Sequence, residues 1–270
     1  KAPDFRQLYL DFTNSAVGYT VVGNRVEEDV IERLQNNNQI LSLTVDSDDL
    51  GQALDAESST GINLGLTYRK NKFNFSFNAF RNDIQNLIDT RIIARKTNGQ
   101  NVFGYINRDN IYTTGFETDL SYNLTSNFKV SLGYQLLYAF DKAAEDRIDN
   151  GEVFVRDPET LVTRRLERSD YFGLPNRSRH LGNFKVFYKF PEWKAFANLR
   201  LNYRSKYALF DTNGNGLIDN YDDSFVDGFS LLNLTLSKSL FEHYKFQIVG
   251  ENILNNEQTG LLNLPGIRIT

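Results

Sequence analysis

The chain has 270 residues, with 30 Lys and Arg against 34 Asp and Glu for a net charge of -4, and neither Cys nor Met. The acidic balance argues against nucleic acid as a partner, which asks for a basic surface, and the lack of Cys excludes disulfides, thiolate nucleophiles and Cys-ligated zinc. A mean hydropathy of -0.45 with no apolar run of about 18 residues excludes a helical membrane protein. It does not exclude a barrel, whose strands face lipid only at alternate residues.

No signal peptide with a charged start and apolar middle is present. The chain starts at Lys1 without an initiator Met, so a processed product or a fragment is expected. The 21 Phe and 14 Tyr against one Trp are more rings than an ordinary soluble domain carries, and interfacial belts would use them.

In chain order, Lys1 to Asn14 is compact and aromatic, with a short helical turn expected from Asp4 to Leu8. Ala16 to Glu57 reads as a long polar segment in which Val30, Ile31 and Leu34 fall at helical spacing. Ile62, Leu64, Leu66 and Tyr68 then alternate with polar residues, and after a turn at Lys70 to Lys72 so do Phe73, Phe75, Phe77 and Ala79, which predicts a hairpin. The second strand is expected to continue through Leu87 and Ile92, turn at Lys96 to Asn101, and return as one strand from Val102 to Tyr122.

Leu124 to Asn127 is a short turn into the longest alternation, Phe128 to Tyr138, whose length matches a strand crossing an outer-membrane hydrocarbon layer at a tilt. A second long polar segment, Asp141 to Arg179, follows. Phe184 to Phe190 and Ala195 to Tyr203 predict a hairpin about Pro191, Glu192 and Trp193, then an acidic loop from Asp211 to Asp223. Ser230 to Leu240 and Lys245 to Leu254 predict the last full hairpin. The fold class expected is all-β: an antiparallel transmembrane β-barrel segment of about eight strands and the start of another, with short periplasmic turns alternating with long extracellular loops. A soluble β-sandwich, with strands of about five or six residues, is the alternative.

Asp211, Asn213, Asn215, Leu217, Asp219 and Asp222 fit calcium-loop spacing, with Gly216 at the sharp turn, Ile218 as the apolar residue and Asp222 in place of the bidentate Glu. The loop reads either as a structural calcium site or as a solvated Asp-rich turn. His180 and His243 cannot make a zinc site of three protein nitrogens and read as solvated. Arg164, Arg165, Arg168, Arg177 and Arg179 could hold an anionic ligand or lipopolysaccharide phosphate, or form a loop network with Glu159, Glu167 and Asp170. The paired carboxylates Glu27 and Glu28, or Asp48 and Asp49, lie in polar stretches without a perturbing pocket. No acid–base pair, nucleophile triad or phosphate-cradling glycine motif is found, so an enzyme is not expected.

Four segments resemble one family. The opening KAPDFRQLYLDF (Lys1 to Phe12), LDAESSTGINLGL (Leu54 to Leu66), YINRDNIYTTGFETDL (Tyr105 to Leu120) and ENILNNEQTGLLNLP (Glu251 to Pro265) look, in this order and spacing, like barrel segments of TonB-dependent outer-membrane receptors of the Bacteroidetes type. The resemblance covers residues 1–270 and implies the C-terminal part of a barrel of about 22 strands, the plug, TonB box and earlier strands being absent and the last strand cut short. It implies a Gram-negative outer-membrane location, lipid and lipopolysaccharide around the barrel, the TonB complex as partner through the absent N-terminal region, and a surface lipoprotein as a further partner. The function implied is uptake of a ferric siderophore, haem or cobalamin, with ligand contacts in 16–57 and 141–179; a passive porin and a soluble calcium-binding adhesion or lectin module are the alternatives. Haem receptors of the family carry an axial His between the two opening motifs, and residues 1–57 contain none; Tyr9, Tyr19 or His180 would have to substitute.

Overall fold

The structure is a computed structural model and describes every residue except 17, 109, 158, 210, 212–216, 221–224, 242 and 258–265. In chain order the elements are α1 (Phe5–Tyr9), β1 (Asp11–Asn14), β2 (Tyr19–Val22), α2 (Glu27–Asn36), β3 (Ile40–Leu43), β4 (Ser58–Lys70), β5 (Phe73–Gln85), β6 (Leu87–Lys96) and β7 (Asn101–Arg108). There follow β8 (Ile111–Asn123), β9 (Phe128–Asp141), α3 (Lys142–Asp149), β10 (Phe154–Arg156), β11 (Thr163–Arg165), β12 (His180–Phe190) and β13 (Ala195–Arg204). The chain ends through β14 (Tyr207–Ala208), β15 (Phe225–Val226), β16 (Phe229–Leu240), β17 (Tyr244–Glu251) and β18 (Arg268–Ile269). Two compact units result: Lys1–Thr60 with Asp83–Ile111 and Asp141–Ala143, and Gly61–Asn82 with Tyr112–Phe140 and Ala144–Thr270.

The first unit is built on a five-stranded sheet ordered β1-β2-β7-β6-β3. Asp4 caps α1 reciprocally with Gln7, each side chain accepting from the other's backbone N–H. Three acidic residues open α2 and Arg33 lies in its last turn, both favourable to the helix dipole. Val30, Ile31 and Leu34 on one helix face pack with Val22, Leu50, Ile93, Ala94 and Val102. Burying each of these three side chains is worth about 2 kcal/mol, so α2 forms because it has this sheet to cover.

Most of the second unit is one antiparallel sheet, ordered β18-β17-β16-β13-β12-β9-β8-β5-β4. Its eight long strands and the two-residue β18 match the expected eight strands and the start of another. They run from 8 residues in β17 to 14 in β9, longer than sandwich strands. Register puts Leu132 opposite Phe184, Val130 opposite Val186, Leu199 opposite Leu234 and Leu236 opposite Ile248, so one face is apolar across the sheet. That face is uncovered: Ile62 is 73% exposed, Leu132 48% and Ile248 59%. A sandwich would bury it under a second sheet.

Alternate connections are short: residues 71–72, 124–127, 191–194 and 241–243 join β4 to β5, β8 to β9, β12 to β13 and β16 to β17. Asn71, Lys194 and Phe241 take positive φ in three of these turns. Connections at the other end are long.

Four expectations are corrected. The strand from Phe73 does not continue through Ile92, nor is Val102 to Tyr122 one strand: each breaks at an Asn with positive φ, Asn86 at 54° and Asn110 at 58°. Between those breaks the chain forms β6 and β7 of the five-stranded sheet. Ala16 to Glu57 is not a plain loop, since it holds β2, α2 and β3 around a hydrophobic core. The last hairpin strand stops at Glu251 rather than Leu254, because Asn252 turns to φ 48° and exchanges hydrogen bonds with Asn256.

Candidate functional site

Because side chains alternate along each strand, the face opposite the apolar one collects the polar residues. Toward the long-loop end, Gln135 donates to Glu117 Oε1 at 2.7 Å. A concavity of about 500 Å³ lies there, lined by Glu117, Asp119, Gln135, Asn183, Asn202 and Arg204 among others. Gly133 makes room for this cluster, for a Cβ on it would stand 2.3 Å from Asn183 Nδ2 and 2.9 Å from Asp119 Oδ1. Toward the short turns the same face turns basic, with Lys129, Lys185 and Arg200.

Rings border the apolar face. Near the short turns are Tyr68 with Phe73, Phe128 with Tyr188, and Phe190 stacked on Trp193. Ten residues up β9 from Phe128 stands Tyr138, stacked on Phe140. At about 3.3 Å per residue that is about 33 Å along the strand, or about 25 Å of height at a tilt of about 40°, the height of the apolar band of an outer-membrane barrel.

The segment 142–179 is ordered by its own core, in which Ala144, Ile148, Val153, Val155 and Leu166 pack with Tyr171 and Leu217. Four of the five arginines singled out from the sequence engage groups of the segment itself, while Arg177 is exposed. Arg168 grips Asp149 through two bonds, Nε to Oδ1 at 2.7 Å and Nη2 to Oδ2 at 2.6 Å, and donates to Glu145 at 3.1 Å. The guanidinium holds the Asp149 carboxyl below its usual range. Arg164 pairs with Asp170 at 3.0 Å, Arg165 lies over the Phe154 ring, and Arg179 donates to the Tyr171 and Phe172 carbonyls. His180 Nδ1 shares a hydrogen bond with the Tyr134 hydroxyl at 2.7 Å.

Of the calcium-loop residues, Asp211, Leu217 and Asp219 are described; Asn213, Asn215 and Asp222 lie outside the described residues. Leu217 and Asp219 are buried, and Asp219 bridges to Tyr171 in backbone pairing. Among the described residues no three His, Asp or Glu are grouped to hold a metal. Tyr19 rests against Phe12 and Phe103, and the exposed Tyr9 against Phe5. Asp49 pairs with Arg91 at 3.7 Å.

Glu27 was misjudged from the sequence as lying without a perturbing pocket. It is 2% exposed, and its oxygens accept from Tyr105 N at 3.0 Å and Gly51 N at 3.1 Å. Burial, the largest influence, pushes its carboxyl up against the lowering effect of those two bonds. The available signal was positional: Glu27 stands three, four and seven residues before Val30, Ile31 and Leu34, on the buried stripe of α2.

A single long-stranded antiparallel sheet, apolar and ring-bordered on one face and polar on the other, with short turns at one end and long connections at the other, defines a segment of a membrane-type β-barrel. Residues 1–253 match the family described as TonB dependent receptor-like, beta-barrel, and the chain belongs to that family. Its members are outer-membrane barrels and transporters rather than enzymes. No curated protein matches the sequence.

Among solved structures, the copper transporter OprC superposes with a TM-score of 0.55 at 16% identity, over 82% of this chain and 28% of that one. The siderophore receptor PirA from Pseudomonas aeruginosa gives 0.55 at 13% identity, over 100% and 36%. The FrpB iron transporter from Neisseria meningitidis gives 0.51 at 15% identity, over 80% and 30%. The chain thus spans 28 to 36% of these proteins, and at such identities the likeness concerns the fold. Among the described residues no helix is long and apolar enough to cross a membrane, which says nothing of crossing by strands.

Proposed function

We propose that this chain is the C-terminal part of the barrel of a Gram-negative outer-membrane receptor that imports a scarce, bulky nutrient with energy delivered by TonB. The observation that carries the reading is the uncovered apolar face of the nine-stranded sheet, with rings at its borders and long connections at one end. The apolar face contacts lipid, and the polar face lines a lumen. Binding residues concentrate on loops carried by a rigid scaffold, so ligand contacts belong to the segments 16–57 and 142–179. Ferric siderophores, haem and cobalamin are the ligands to assay. Siderophore comes first, because solved relatives include iron and siderophore carriers, and His180 is engaged by Tyr134.

Calcium in the loop 211–222 is part of this proposal. Leu217 points its side chain into the core, which suits a ligand position filled by a backbone carbonyl.

The test is to recover the full-length protein from outer membranes and identify the co-purified small molecule by mass spectrometry and visible absorption. A ferric chelate, haem or corrin lost on deletion within 142–179 supports the reading. A protein found in the soluble fraction overturns it.

A further inference from the structure

We infer that the short-turn end of β4, β5 and β8 carries a headgroup site for an anionic phospholipid, its phosphate held by Lys70 and Lys72 and its acyl chains lying along the apolar stripe of β4. The inference rests on the reading that the apolar face contacts lipid, and adds to it a place and a lipid class. Ile62, Leu64, Leu66, Tyr68 and Lys70 alternate along β4, so all five side chains leave the strand on one face. All five are exposed, and Lys70 is the last residue of the strand. An apolar stripe that ends in a cation suits two surroundings, hydrocarbon along its length and anionic oxygens at its foot. Lys70 lies two residues beyond Tyr68, about 5 Å closer to water at a tilt of about 40°. That step carries the ammonium from the ring belt out among the headgroups.

The neighbouring strands complete the site. Asn74 of β5 donates to Ser121 of β8 at 3.4 Å on the polar face, so Phe73 and Tyr122, one residue away on each strand, fall on the face of Tyr68. The Tyr68 and Phe73 rings lie 6.1 Å apart. In the turn, Lys72 Nζ donates to the Leu124 carbonyl at 3.1 Å and the Lys72 carbonyl accepts from Asn123 N at 2.9 Å, which fixes this lysine between two short turns. A concavity of about 560 Å³ results, lined by Tyr68, Lys70, Asn71, Lys72, Phe73 and Tyr122. Its two ammoniums, two phenols and one amide all donate, as a phosphodiester requires. Residues 58–82 and 120–140, which include this end of β4, β5, β8 and β9, contain no Asp or Glu. Glu192 and Glu242 belong in sequence to the connections after β12 and β16. A zwitterionic headgroup would bring a further ammonium to these lysines, so the chemistry selects a phospholipid of net negative charge. A strand added to the free edge of β4 lies beside it in the same surface and leaves this face toward lipid.

The experiment acetylates the full-length protein in mixed micelles of detergent with phosphatidylcholine or with phosphatidylglycerol, and follows each lysine by mass spectrometry. The expected result is that phosphatidylglycerol slows acetylation of Lys70 and Lys72 by about fivefold relative to Lys194, which is exposed on the same border in the turn that holds Glu192. In Lys70→Gln the protection of Lys72 is expected to weaken and tightly held phosphatidylglycerol to disappear from native mass spectra. Lys70 is exposed, so heat-modifiable folding of that variant should hold. Equal slowing at Lys194 would mean a general surface potential and overturns the site, as does no slowing at all. Equal slowing by inorganic phosphate in phosphatidylcholine micelles overturns the lipid in favour of a free anion. A protein recovered folded from outer membranes that shows no slowing overturns this site alone, whereas a soluble protein overturns the reading on which it rests.

Discussion

The Glu27 carboxylate fills the space that a side chain on Gly104 would need: a Cβ there would lie 2.2 Å from Oε1 and 2.9 Å from Ile93 Cγ2. The close approach lets one carboxylate accept the N–H of Tyr105 in β7 and that of Gly51 after β3, so the start of α2 is tied to two other parts of its unit. Gly104→Ala is expected to displace the carboxylate and cost about 1–3 kcal/mol in that unit. Limited proteolysis of the full-length protein checks this, with faster cleavage expected between residues 20 and 60 and no change in the nine-stranded sheet. Unchanged protection would mean the cavity gives more easily than its neighbours suggest.

Acidity should act on the same group in a definite direction. Burial raises the Glu27 carboxyl above its ordinary value of 4.5. A folded-state value above the unfolded one means that the folded unit binds the proton more readily, so the stabilisation is complete below the unfolded value and is lost as pH rises through the folded one. Charged groups bearing on it are Arg91, which favours the ionised form, and Glu28, which opposes it. Hydrogen exchange at the Gly51 and Tyr105 amides, corrected for intrinsic rates, should therefore show protection falling as pH rises from about 4.5. In Glu27→Gln that slope should vanish, with lower protection throughout because an amide N–H₂ faces a backbone donor. A slope that persists in the variant would assign it to another group.

The uncovered apolar face makes a prediction that depends on which side of a strand is changed. Leu132 lies mid-band opposite Phe184, while its neighbour Ser131 lies on the polar face opposite Lys185. If the apolar face meets lipid, Leu132→Arg costs about 2–4 kcal/mol, whereas Ser131→Gln on the polar face is nearly neutral. Heat-modifiable migration of the full-length protein from outer membranes reads the difference, with folded material lost for the first variant and kept for the second. Equal tolerance of both would be incompatible with a lipid-facing band.

The contrast between neighbours also explains what the sequence made legible. In a one-layer sheet every strand must alternate, so Phe128 to Tyr138 and Phe184 to Phe190 announced both their structure and their faces. The five-stranded unit gave no such signal, because its core draws Val22, Ile31, Leu50, Ile93 and Val102 from short elements far apart in the chain. The strand readings also ran past Asn86 and Asn110, where the ease with which Asn adopts positive φ was the local mark of the passage into another sheet. The arginines of 142–179 read as either a ligand cluster or a loop network, and the partners within the network were not legible, since pairing such as Arg168 with Asp149 depends on α3 bringing Asp149 and Glu145 to one side.

The loop 211–222 offers the sharpest remaining choice. Asp219 is fully buried beside Tyr171, and the backbone N–H of Phe172 donates to the Ile218 carbonyl at 2.8 Å, so residues 217–219 are fixed to the unit's core. Anchoring at residues 217–219 lowers the entropy cost of gathering oxygens around a cation, which favours a calcium site even with Asp222 in place of the bidentate Glu. Affinity is then expected on the order of 10⁻⁴ M, as in extracellular modules. Chelation with EGTA should lower the melting temperature of the full-length protein and speed cleavage near residue 215, with calcium but not magnesium restoring both. Asp222→Ala should melt like the chelated protein and ignore added calcium. If chelation changes neither melting nor cleavage, the loop is a solvated Asp-rich turn held by Ile218 and Asp219 alone.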